Sequence, residues 1–65
     1  MGYNIAALRE KKNMTQEELS EKSGVSRSIV SGLESGRTKQ TTTKTLERLA
    51  DALDVDISSF FTHNA

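Results

Sequence analysis

The 65-residue chain has no cysteine, no proline and no tryptophan, and its formal net charge is zero. Without cysteine, neither a disulfide framework nor a thiolate metal site can staple the fold, and the composition fits a reducing compartment. No apolar run approaches the roughly 18 residues that a membrane span needs, and the N-terminus has no apolar signal-peptide core. Met1-Gly2 opens like a myristoylation site, but Ala6 stands where serine or threonine is required. These absences predict a soluble, cytoplasmic protein with no membrane contact. The length allows one domain, residues 1–65. A chain this short buries only about 60% of its unfolded surface, so stability must come from efficient helix packing or self-association. Catalytic machinery is missing too. His63 is the one histidine, near the C-terminus, and there is no Ser/His/Asp set, metal-ligand spacing or glycine-rich phosphate loop. A bundle of this size also lacks a pocket of the order of several hundred Å³ typical of ligand sites. The chain is therefore read as a non-enzyme with no cofactor, no metal and no small-molecule ligand.

What is present is charge polarity and helix punctuation. From Lys22 to Lys44 there are five cations (Lys22, Arg27, Arg37, Lys39 and Lys44) against Glu34 alone, a local charge of +4. The segment after it sets Arg48 against Glu47, Asp51, Asp54 and Asp56, a local charge of −3, and the first 21 residues sum to −1. A phosphate backbone responds to this local field and not to the net charge. Residues 15–36 hold two short helical patterns joined by a turn at Gly24. Thr15-Gln16-Glu17-Glu18 is a capping box, and Ser26 caps the second pattern. That is the layout of a helix-turn-helix, whose second helix can enter a DNA major groove.

The rest of the chain reads as helix as well. Ile5 and Leu8 suggest a first helix over roughly 4–12 with Asn4 as its cap, and the motif helices run over roughly 15–23 and 26–35. Leu46, Leu49, Ala50 and Leu53 recur at i, i+3, i+4, i+7, an amphipathic helix. Asp56 caps a last short helix carrying Ile57, Phe60 and Phe61. No stretch alternates like a strand, so the fold class is an all-α compact bundle of about five short helices. At about 100° per residue, Ile29, Val30 and Leu33 fall on one side of the second motif helix, and Arg27, Ser28, Ser31, Gly32 and Ser35 on the other. Serines and a glycine make a poor solvated helix face but suit a close approach. Gly32 costs a helix roughly 1 kcal/mol relative to alanine. Either a DNA groove or a neighbouring element then needs the space. Phe60 and Phe61 are adjacent and cannot easily share one small core. Phe60 is placed inward and Phe61 at a candidate dimer seam within 56–61, the alternative being that both pack intramolecularly.

Five blocks carry a resemblance over most of the chain. They are Leu8-Arg9-Glu10-Lys11-Lys12; Met14-Thr15-Gln16-Glu17-Glu18-Leu19; Gly24-Val25-Ser26-Arg27-Ser28; Val30-Ser31-Gly32-Leu33-Glu34-Ser35-Gly36-Arg37; and Leu46-Glu47-Arg48-Leu49-Ala50-Asp51-Ala52-Leu53. In this order and spacing the sequence resembles the lambda-repressor-like (Xre/Cro) helix-turn-helix family. The resemblance implies that Arg27, Ser28, Ser31 and Gly32 face base edges, with Arg27 able to grip a guanine bidentately. It implies backbone or phosphate contacts from Gln16, Arg37, Thr38, Lys39, Gln40, Thr43 and Lys44, with Gln16 also bracing the recognition helix. Arg9 and Glu34 match a structural ion pair. Three positions depart from the family pattern: Ser20 where alanine is usual, Ser23 where an apolar residue is common, and Gln40-Thr41-Thr42-Thr43 where the loop often ends in proline.

The implied function is sequence-specific binding of double-stranded DNA by a homodimer on a palindromic operator, acting as a transcriptional regulator and in the family's manner a repressor. A single small domain buries too little surface for affinities of order 10⁻⁸ M, which favours two half-sites. The competing reading is a protein-interaction module, such as the antitoxin of a toxin–antitoxin pair.

Overall fold

In the computed structural model, which describes residues 3–38 and 40–61, the chain forms four α-helices and a closing 3-10 helix. Lys39, His63 and the Met1-Gly2 start lie outside the described residues. The helices are α1, Ile5–Lys11; α2, Gln16–Ser23; α3, Arg27–Ser35; and α4, Thr43–Leu53, followed by the 3-10 helix Ile57–Phe61.

Local chemistry sets most of the boundaries. Thr15 Oγ1 accepts from the Glu18 N–H at 3.0 Å, and Glu18 Oε1 accepts from the Thr15 N–H at 2.8 Å, completing the capping box of α2. Gly24 ends α2 at φ +77°, a left-handed conformation that a side chain would strain. Ser26 Oγ accepts from the Ile29 N–H at 3.3 Å to start α3. Thr42 does the same for α4, its Oγ1 accepting from the Thr45 N–H at 3.1 Å. Asn4 does not cap α1 with its side chain. Its N–H donates instead to the Phe60 carbonyl at 3.1 Å, tying the start of the chain to the closing helix. That last element is 3-10 and not α, because five residues leave little room for i to i+4 bonds. The Ser59 N–H returns to the Asp56 carbonyl at 2.9 Å.

The core is Ile5, Leu19, Val25, Val30, Leu33, Leu46, Leu49, Ala50, Ala52, Leu53 and Phe60, all buried. Tyr3, Leu8, Met14, Val55 and Ile57 pack against it. Each helix contributes one apolar stripe, so no helix is stable alone. α2 packs on α3 and α4, α1 on α3, and the 3-10 helix on α4. Phe60 points inward, whereas Phe61 is 53% exposed and meets the Tyr3 ring edge-on with centroids 5.6 Å apart. Among the described residues no helix is long and apolar enough to cross a membrane.

Candidate nucleic-acid interface

The α2–α3 turn fixes the angle at which α3 is presented, and the two serines that depart from the family pattern hold it. Ser20 Oγ donates to the Val25 carbonyl at 2.7 Å, and Ser23 Oγ accepts from the Val25 N–H at 3.1 Å. Both backbone polar groups of Val25 are thus satisfied while its side chain enters the core. A turn pinned at both its N–H and its C=O has little freedom to re-aim the following helix.

The far end of α3 is held by a network centred on Glu34. Arg9 Nε donates to Glu34 Oε2 at 2.7 Å and Arg9 Nη2 to Oε1 at 3.2 Å, a two-pronged pair. Arg9 Nη1 donates to the Met14 carbonyl at 2.6 Å. The hydrogen bond with Glu34 raises the Arg9 guanidinium above its ordinary pKa, against burial, which lowers it. Gln16 joins the network, its Nε2 donating to Glu34 Oε1 at 2.9 Å. The Gln16 side chain therefore braces α2 against α3. A primary amide has two N–H bonds, so one donor is left to turn outward.

Between these two anchors, Gln16, Arg27, Ser28, Ser31 and Arg37 line one open depression, with no acidic side chain among them. The first turn of α3 carries no acidic residue either, so the positive end of its dipole is uncompensated. The geometry offers two guanidinium groups, two hydroxyls and an amide to a ligand rich in hydrogen-bond acceptors and negative charge. Gln40, Thr43 and Lys44 are exposed beyond it, at and after the loop. Lys44 lines a second depression, between the start of α3 and the first turns of α4, together with Ser26, Ile29, Thr42, Thr45 and Arg48.

Two expectations for α3 change. Gly32 is buried, and the element that approaches it belongs to the protein. The Thr38 N–H donates to the Gly32 carbonyl at 3.0 Å. A Cβ at Gly32 would collide with Thr38 Oγ1 and stand 3.2 Å from Thr38 Cβ. Gly32 thus makes room for the loop that carries Arg37, and Thr38 is its lid. Ile29 does not share the core side with Val30 and Leu33: it is 40% exposed. At about 100° per residue it sits roughly 70° from the mean direction of those two residues, at the rim of the apolar stripe. Sequence reasoning does not single out Ile29, Thr42 or Arg48 as site residues. Thr42 was detectable as a hydroxyl three residues before Thr45, a capping spacing. Arg48 falls in the acidic C-terminal segment, yet its Nη1 lies 4.0 Å from the position of a Cβ on Gly24.

Gly32→Ala sets about 1 kcal/mol of gained helix propensity against the displacement of Thr38. The expected result is a thermal midpoint within about 5 °C of the parent, with at least tenfold faster hydrogen exchange at the Thr38 amide. Unchanged protection at that amide would show that the loop absorbs the methyl group without moving.

The chain matches the helix-turn-helix family over residues 5–60. It is 47% identical over 55 residues to an uncharacterized HTH-type transcriptional regulator, y4dJ, of Sinorhizobium fredii (strain NBRC 101917 / NGR234). That match covers 85% of this chain and 70% of the relative. No solved structure gives a significant match.

Proposed function

The chain belongs to the lambda-repressor-like (Xre/Cro) helix-turn-helix family of DNA-binding transcriptional regulators, which are not enzymes, and from that premise we propose that it represses transcription as a homodimer on a palindromic operator. The observation that carries the DNA-reading part is the shared depression of Gln16, Arg27, Ser28, Ser31 and Arg37. Arg27, Ser28 and Ser31 are the base-reading set. Gly32 supports them from beneath by seating the loop. Arg37, Gln40, Thr43, Lys44 and the free donor of Gln16 take backbone phosphates, as does Lys39 on the sequence argument alone. Thr38 acts through its packing on Gly32.

Selection of binders from a random duplex library, at near-physiological salt, tests this reading. The expected product is an inverted repeat with half-site centres about 34 Å apart, one turn of DNA. Recovery of no shared motif would remove the operator and favour a protein-interaction role of the antitoxin kind.

The dimer seam is assigned to Phe61, the aromatic ring left 53% exposed beside Tyr3. A two-fold interface uses the same patch twice, so each loss counts on both protomers. Phe61→Ala is expected to stay folded and to weaken self-association about tenfold or more, read by analytical ultracentrifugation. A folded variant that dimerises as before would place the seam elsewhere, and an unfolded one would return Phe61 to the core.

A further inference from the structure

We propose that Ile29 is a specificity-determining residue that reads a thymine through its 5-methyl group; this deepens the DNA-binding reading and rests on it. Ile29 and Phe61 are the large hydrophobic side chains left exposed among the described residues. Phe61 lies on the closing 3-10 helix, whereas Ile29 lies on α3, next to Ser28 of the base-reading set. Its phase separates it from Ser28 by about 100°, so it stands on the flank of α3 and not on its leading edge. A helix about 10 Å across with side chains in a major groove about 12 Å wide touches the groove with its flanks as well.

The surroundings of Ile29 select what it touches. The depression around it is bounded by Ser26, Thr42, Lys44, Thr45 and Arg48, with no acidic side chain among the described residues that line it. Lys44 and Arg48 form no ion pair among the described residues. The first turn of α4, which faces this depression, carries no acidic residue. An apolar centre with a cationic and hydroxyl rim is complementary to an apolar group flanked by phosphates. The thymine 5-methyl is the one apolar group that base edges present in the major groove, and it lies within reach of the backbone on both sides. Lys44 and Arg48 would then hold the phosphates flanking that thymine, which adds Arg48 to the contacts of the regulator. A protein partner for an apolar patch would not require this rim.

The test pairs the protein change with a change on the DNA. The operator recovered by selection is resynthesised with each thymine replaced, one at a time, by deoxyuridine, which lacks only the methyl group. For the parent protein one thymine per half-site is expected to be sensitive, with a loss of roughly three- to tenfold in affinity, the scale of one buried methyl group. For Ile29→Ala the same thymine and deoxyuridine duplexes are expected to bind equally. Ile29→Thr, which keeps the β-branch and one methyl group, guards against loss of folding and is expected to lose part of the discrimination. Undiminished deoxyuridine sensitivity in both variants overturns the assignment, and so does an operator with no sensitive thymine. A selection that yields no motif defeats the function itself, so the two failures are distinct.

Discussion

Glu34→Ala should lower the thermal midpoint of this domain by at least 15 °C, or leave it unfolded at room temperature, on the order of 3–5 kcal/mol of lost stability. The side chains of Arg9 and Glu34 are 13% and 7% exposed. Removing the carboxylate leaves the guanidinium covered, charged and bonded only to the Met14 carbonyl among its three acceptor atoms in that network. An acid or a histidine in that position would escape by changing its protonation state, but arginine cannot. Gln16 loses its acceptor at the same time, so α1, α2 and α3 are released together. A chain of 65 residues has a total stability of roughly 3–10 kcal/mol, which this one change consumes in large part. The double variant Arg9→Met, Glu34→Leu is expected to be more stable than either Arg9→Met or Glu34→Leu alone, because two matched apolar side chains bury no unpaired charge. Circular dichroism melts of the parent, Glu34→Ala, the two other single variants and the double variant decide the matter. A loss under about 1 kcal/mol in the single variants would class the pair with surface salt bridges, where the 3.9 Å contact of Arg9 with Glu10 already belongs.

The parts of this architecture legible in the sequence are those built from bonds between near neighbours. Thr15 and Glu18 are three residues apart, Ser26 and Ile29 likewise, and Gly24 needs no partner to mark a left-handed turn. The amphipathic stripe of α4 is legible for the same reason, since Leu46, Leu49, Ala50 and Leu53 follow the helix repeat. Arg9 and Glu34 are 25 residues apart, and no spacing rule pairs them; only the family resemblance did. The role of Gly32 was hidden because the atom that crowds it belongs to Thr38, which returns over α3 through a loop without helical periodicity. Ile29 was misplaced because a residue at the rim of an apolar stripe is assigned by its neighbours on other helices, here the first turns of α4. Ser20 and Ser23 looked like departures from a pattern until the turn supplied Val25 as a partner for both hydroxyls. A candidate site assembled from three elements, α2, α3 and the loop after it, is thus readable residue by residue but not as a surface.

Arg27→Ala is expected to weaken binding to the selected operator by roughly 1–3 kcal/mol, about 5- to 150-fold, and to relax the preference at one base pair of each half-site. Arg27 is exposed in the first turn of α3 and lines the depression shared with Gln16, Ser28, Ser31 and Arg37. Arg27 enters no ion pair among the described residues, where the ion pairs belong to Arg9, so its planar fork is available to a base. Two acceptors on one guanine edge match that fork, whereas lysine offers a single point of charge. Arg27→Lys therefore separates the two contributions. It should keep the salt dependence of binding and still lose the base preference. Lys44→Ala is the contrasting case. At the exposed start of α4 it is expected to weaken all sequences alike and to reduce the slope of log affinity against log salt by about one. Titrations of the parent and these three variants, against the operator and single-base-pair variants at two salt concentrations, distinguish the roles. If Arg27→Ala and Lys44→Ala behave identically across sequences, Arg27 is a phosphate contact, and base reading falls to Ser28, Ser31 and Ile29.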